Sequence, residues 1–186
     1  MPPPIKATEF DGDLSSLLHK YNFQPKLTRK LDGLEDLNLT PELLNEIVLW
    51  KVNRYVTLSD DQLCRLNALG TLEPGEHEKA RSVLKELLEA HGVDLPMAST
   101  FLRFRNPSVF QIIDRHAFRA LYGQDYGLYT QTPVMKKVAV YFAYLDDLRL
   151  LYHAKGLEFD TVDRVLYVFD KETNGGLSKG KPTPEH

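Results

Sequence analysis

Apolar residues recur along this chain at spacings of three and four, and no stretch alternates with period two for long enough to make a sheet strand. The pattern predicts an all-α protein. Residues 1–12 read as an extended arm because three prolines bias them away from helix. Asp13 to Tyr21 suits a short helix with Leu17 and Leu18 inward. Thr40-Pro41 is a start signal, a hydroxyl cap followed by a proline whose missing N–H costs nothing. Leu43, Leu44, Ile47, Val48 and Trp50 then form a stripe. Ser59-Asp60-Asp61-Gln62 is a capping box opening a helix that runs to Gly70. After the Pro74-Gly75 turn a helix reaches about Ala90, with Val83, Leu84, Leu87 and Leu88 on one side. Further helices carry Met97, Phe101 and Phe104, then Phe118 and Leu121 with Gly123 as the stop. Thr132-Pro133 starts a long helix to about Lys155, and Asp160-Thr161 starts the last, with Val162, Val165, Leu166 and Phe169 inward. Asn174-Gly175-Gly176 ends it, and 177–186 read as a flexible tail.

The charge balance of 23 basic and 26 acidic residues gives a net −3 and argues against a generic nucleic-acid binder. One cysteine, Cys64, cannot make an internal disulfide, an iron–sulfur cluster or a cysteine-rich zinc site. Its place between Leu63 and Leu66 suggests a small core residue. The histidines show no metal spacing, so no metal and no cofactor are expected. The longest apolar run, Val138 to Leu145, is eight residues, against roughly 20 for a membrane span. No signal-peptide core follows Met1. The expectation is a cytoplasmic monomer with no membrane contact.

The segment 80–123 carries the most information. It reads as helix, a tight connection at His91-Gly92-Val93-Asp94-Leu95-Pro96, helix, a break at Asn106-Pro107, then Ile112-Ile113-Asp114-Arg115-His116-Ala117-Phe118-Arg119. This resembles the helix-hairpin-helix DNA glycosylase superfamily, the endonuclease III-like base-excision enzymes. That family places a Gly-Val-Gly-type hairpin before a helix, followed by an apolar pair, Asp, a variable residue, His and, three residues on, Arg. Ile112-Ile113-Asp114, His116 and Arg119 match the second pattern. With the hairpins aligned, Pro96 stands at the position of the family's Schiff-base lysine, 18 residues before Asp114, which is the family's distance without a gap. The specific match covers about 35 residues. It implies two helical lobes: a six-helix-barrel-like domain at 36–121 with the hairpin at 91–96, and a second lobe from 1–35 and 122–176.

The resemblance also implies an activity. Cleaving an N-glycosidic bond develops positive charge on the sugar, which a nearby carboxylate stabilises. Asp114 is the candidate, at a helix N-terminus that favours its ionised form. An aspartate there is equally a plain helix cap, and the two roles are compatible. The target base must leave the stack to reach it. DNA is the implied partner. The hairpin residues Gly92, Val93 and Asp94 are candidates to meet a phosphate, joined by Arg103, Arg105, Arg115, His116 and Arg119. From 103 to 119 the chain holds four arginines against one aspartate, a local formal charge of +3 with His neutral. Each of these charges also has a structural reading: His116 as a scaffold residue, Arg119 as an internal ion-pair partner, Arg103 and Arg105 as helix-end charges. Trp50, Lys51, Asn53, Tyr122, Tyr126 and Tyr129 are candidates for the base pocket, with core packing or a polar helix end as their ordinary alternatives.

Two departures shape the expectation. Pro96 has no amine, so a lyase step through a lysine at that position is not expected, which points to water-using, monofunctional hydrolysis. Asp94 replaces the hairpin's second glycine and can cap the following helix, occupying the N–H groups a phosphate would use. That favours the other expectation, a glycosylase scaffold kept for nucleic-acid or protein binding without catalysis. The missing cysteine cluster puts the chain outside the iron–sulfur branch.

Overall fold

The computed structural model describes residues 13, 18, 20, 21, 23–34, 39–52 and 56–174. Among them are eight α-helices and no strand, so the fold is all-α. The helices are α1 (Pro25–Asp32), α2 (Pro41–Val52), α3 (Asp60–Ala68), α4 (Arg81–Glu89), α5 (Leu95–Arg105), α6 (Arg115–Tyr122), α7 (Val134–Lys155) and α8 (Val162–Thr173). Short 3-10 turns stand at Leu69–Thr71, His77–Ala80 and Phe159–Thr161. None of the helices is long and apolar enough to cross a membrane. The arm at 1–12, most of the helix expected at 13–21 and the tail at 177–186 lie outside the described residues.

Local chemistry sets the boundaries. At α3 both halves of the capping box form: Ser59 Oγ accepts the Gln62 N–H at 3.2 Å, and Gln62 Oε1 accepts the Ser59 N–H at 2.9 Å. The helix stops at Ala68, two residues short of Gly70, and tightens into the 3-10 turn. Gly123 and Gly156 end α6 and α7 in the left-handed region, at φ 66° and 64°, where a side chain would be strained. Asn106 ends α5 and fastens the break: its buried amide donates to the carbonyls of Leu69 and Leu72, each at 3.0 Å.

Two compact units divide the chain, Met1–Tyr55 and Val56–His186. The expected division at 35 and 121 is not the one found. A single core gathers residues from Leu66 through Leu166, including Leu84, Leu87, Leu95, Leu102, Phe110, Tyr141, Phe142, Tyr144 and Leu148, and so crosses position 121. In the second unit α4 packs on α7 and α6 packs on α8.

Several core expectations fail for identifiable reasons. On α8 the buried positions are Val162, Asp163, Leu166 and Asp170, while Val165 and Phe169 are exposed. Val162 and Leu166 are inward as expected, but two acids with specific partners take the rest of the buried face, in place of Val165 and Phe169. Met97 and Phe104 are also exposed, and so is Cys64, which lies on the outer side of α3, away from buried Leu66. No residue of α2 is fully buried, and Leu44 and Val48 lie open.

Candidate active site

The hairpin is a turn closed by Val93 N–H on the Ala90 carbonyl at 3.2 Å. Gly92 has φ 78°, which accounts for a glycine there, and buried Val93 anchors the turn in the core. Asp94 caps α5. Its Oδ1 accepts the Leu95 N–H at 2.7 Å and the Lys137 ammonium at 2.7 Å. Lys137 is buried and also donates to the Thr130 carbonyl at 3.3 Å, linking turn, α7 and the 125–133 loop.

Asp114 is half-buried with extended backbone, φ −131° and ψ −178°. Its Oδ1 accepts the Ala117 N–H at 2.7 Å, so it is a true cap of α6. It lines a cavity of about 210 Å³ together with Ile112, Ala117, Asp163, Tyr167 and Val168. The adjacent Arg115 lines a larger cleft of about 460 Å³ with Asp94, Pro96, Asp125, Tyr126 and Tyr129. Small-molecule sites typically run about 300–1,000 Å³, so the larger cleft is the one of ligand size. Burial first, then the charges of Asp94 and Asp114, push the Tyr126 phenol well above its ordinary pKa. The hydroxyl therefore stays protonated as a donor, and its surroundings connect the cleft electrostatically to Asp114. Tyr129 is exposed at the cleft wall. Tyr122 donates to Asp147 Oδ2 at 2.7 Å, and burial followed by that contact raises its phenol pKa. The Phe118 ring meets both Tyr122 and Tyr126, at 4.6 and 5.4 Å.

The expected crowd of basic groups around Asp114 is spread over four places. Arg103 is buried, donates to the Asp160 carbonyl at 2.7 Å and stands 3.9 Å from Asp163. Arg105 lies across Gly70 and donates through Nε to the Asn67 carbonyl at 2.7 Å. His116 and Arg119 converge on Asp170, which is fully buried on α8. His116 packs its ring edge-on against Tyr167 at 4.8 Å. Arg115 is the member of this group at the cleft. In the first unit, Trp50 donates to Thr28 Oγ1 at 2.9 Å and meets the Phe23 ring at 5.2 Å, and Lys51 is exposed in the last turn of α2. Asn53 lies outside the described residues.

Residues that the sequence pattern did not single out matter as much. Asp163 and Asp170 stand seven apart on the inward face of α8, and Tyr141 and Tyr144 donate to the carbonyls of Gln111 and Ile112. Two acids at helical spacing among apolar positions are the signal that could have found the first pair. Among the described residues no group of three His, Cys, Asp or Glu could hold a metal ion. No family model, no curated protein and no solved structure matches the chain.

Proposed function

We propose that the protein hydrolyses the N-glycosidic bond of a nucleobase extruded from DNA, with Asp114 as the carboxylate beside the reacting sugar. The observation that carries this reading is the placement of Asp114. It sits at the start of α6 with one oxygen fixed by Ala117 N–H, next in sequence to Arg115, which lines a cleft of about 460 Å³ together with Tyr126 and Tyr129. In such a reaction the departing base takes the bonding electrons, water adds at the sugar carbon, and the carboxylate stabilises the intervening positive charge. Tyr126 and Tyr129 offer faces for a base to stack on, and Arg115 and the Tyr126 hydroxyl offer donors to its edge. The test is a panel of lesion-bearing oligonucleotides, read with and without alkali. Base release with strand scission only after alkali is expected from the wild-type chain, and loss of release from Asp114→Asn. Equal release by Asp114→Asn removes Asp114 from the mechanism, and no release from any substrate overturns the reading.

A second reading has its own support. The Asp94 carboxylate occupies the start of α5, and Arg103, His116 and Arg119 are engaged inside the fold. A scaffold that binds nucleic acid or protein without excision fits that engagement. DNA affinity that falls steeply with salt, without product, supports it over the first; absence of affinity at low salt removes DNA from both.

A further inference from the structure

The chain from Phe110 to Asp114 belongs to no regular element, yet Phe110, Gln111 and Ile113 are fully buried. Buried backbone groups in such a segment need partners. Four side chains provide them. Ile112 N–H donates to Asp163 Oδ2 at 3.2 Å, and the Ile112 carbonyl accepts from the Tyr144 hydroxyl at 2.8 Å. On either side, the Gln111 carbonyl accepts from Tyr141 at 3.0 Å and Ile113 N–H donates to Ser99 Oγ at 3.2 Å. The segment is thus suspended from α5, α7 and α8.

Ile112 is gripped at both of its backbone polar groups by two buried side chains from different helices, two residues ahead of Asp114. Asp163 is itself held: its Oδ1 accepts the Arg164 N–H at 2.7 Å and Arg103 stands beside its Oδ2. Burial, with the Asp163 charge a further cause, raises the Tyr144 phenol pKa well above its usual value, so the hydroxyl keeps the proton it donates. Asp163 and Asp114 line the same cavity. A carboxylate in a reaction must be held to a fraction of an ångström by residues that are themselves locked, and a segment without helix or strand cannot do this alone.

We propose that Asp163 and Tyr144 are positioning residues for Asp114, acting as a clamp on the Ile112 peptide groups. In its catalytic consequence the proposal rests on the glycosylase reading; in its geometry it does not. The Ala117 amide reports the clamp directly, because its hydrogen bond to Asp114 Oδ1 forms only when Asp114 is in place. The experiment measures amide exchange by NMR on the full chain carrying Tyr144→Phe or Asp163→Asn, with the Leu87 amide of α4 as a reference for global opening. Exchange at Ala117 is expected to quicken by up to about tenfold, the scale of one lost hydrogen bond, beyond any change at Leu87. Exchange at Ala117 that changes only in step with Leu87 overturns the clamp. Tyr144→Phe keeps the ring and removes a single hydroxyl, so it carries the test should Asp163→Asn fail to fold. In the base-release assay both variants are expected to lower kcat without raising KM; unchanged kcat with loosened Ala117 overturns the catalytic consequence. Absence of release by the wild-type chain overturns the glycosylase reading and leaves the exchange result to decide the geometry.

Discussion

Asp170 accepts Arg119 through both of its oxygens, from Nε and Nη2 at 2.8 Å each. The pair joins α8 to α6 as a two-point fork, and His116 and Asn174 complete the carboxylate at 2.7 and 2.8 Å. Removing one partner leaves the other without its counter-charge inside the fold, the costly way to disturb such a pair. Asp170→Ala is expected to lower the Tm by roughly 5–10 °C in thermal unfolding. A change within the range of surface substitutions would show that the fork contributes nothing.

The same pair gives a pH dependence of definite sign. The Arg119 bonds hold the Asp170 carboxyl well below the usual carboxylate range, against the opposing effect of burial. A carboxyl whose pKa is depressed on folding contributes stability that is fully present above its unfolded pKa, about 4, and is lost as pH falls through the folded value. The stability difference between wild type and Asp170→Asn is therefore expected to be constant near neutrality and to shrink below about pH 4. Urea unfolding from pH 7 down to pH 2.5 checks it; a difference that grows on acidification contradicts the assignment.

Asp170 and Arg119 also show what the sequence makes legible. Helix starts were readable because their signals are local: Thr40-Pro41, the Ser59–Gln62 box, Asp114 and Thr132-Pro133 all stand at observed N-termini. The turn at Gly92 and the stop at Gly123 are legible in the same way, because each depends on the backbone freedom of one residue. The destination of a charged side chain is not local. A stretch of four arginines reads as a basic patch, but Arg103 is used at the start of α8 and Arg119 at its end, 57 and 51 residues further along the chain. Nothing near position 119 announces Asp170. On the inward face of α8 the pattern marks Val162 and Leu166 but not Asp163 and Asp170, for the same reason: the partners of these acids are polar groups on α6 and the Phe110–Asp114 segment.

Gly70 and Arg105 make a coupled pair. A methyl group on Gly70 would stand 1.9 Å from the Arg105 guanidinium carbon. The obstacle is the end of a flexible side chain, so Gly70→Ala should displace Arg105 and forfeit its bond to Asn67 rather than disrupt the core. The expected cost is about 0.5–1.5 kcal/mol. In an Arg105→Ala background the same substitution should cost close to nothing, and the double-mutant cycle measures that difference. An equal cost in both backgrounds would place the strain in the backbone of the 3-10 turn instead.

Lys137 ties the wall of the larger cleft to the hairpin. Its bonds to Asp94 and to the Thr130 carbonyl are the contacts at risk in Lys137→Met, which keeps most of the side-chain volume. Because Asp94 is partly exposed, the loss is expected to be moderate, about 1–2 kcal/mol. It should be local as well, with faster amide exchange across 125–133 and little change in α4. Uniform acceleration throughout the second unit would mean that Lys137 supports the core rather than the cleft.

Asp114 allows its two roles to be separated. As a cap it accepts the Ala117 N–H, which an asparagine oxygen can also accept, since both residues are good N-caps. As a reacting carboxylate it supplies a negative charge, which asparagine lacks. Asp114→Asn is therefore expected to leave the free energy of unfolding within about 0.5 kcal/mol of wild type, while Asp114→Ala costs about 1 kcal/mol. If base release is lost equally in both variants, the charge is what the reaction needs. If release survives in the asparagine variant and falls only as far as stability falls in the alanine variant, Asp114 is a helix cap and the chemistry must be sought at Asp94 or Asp125, the carboxylates that line the larger cleft.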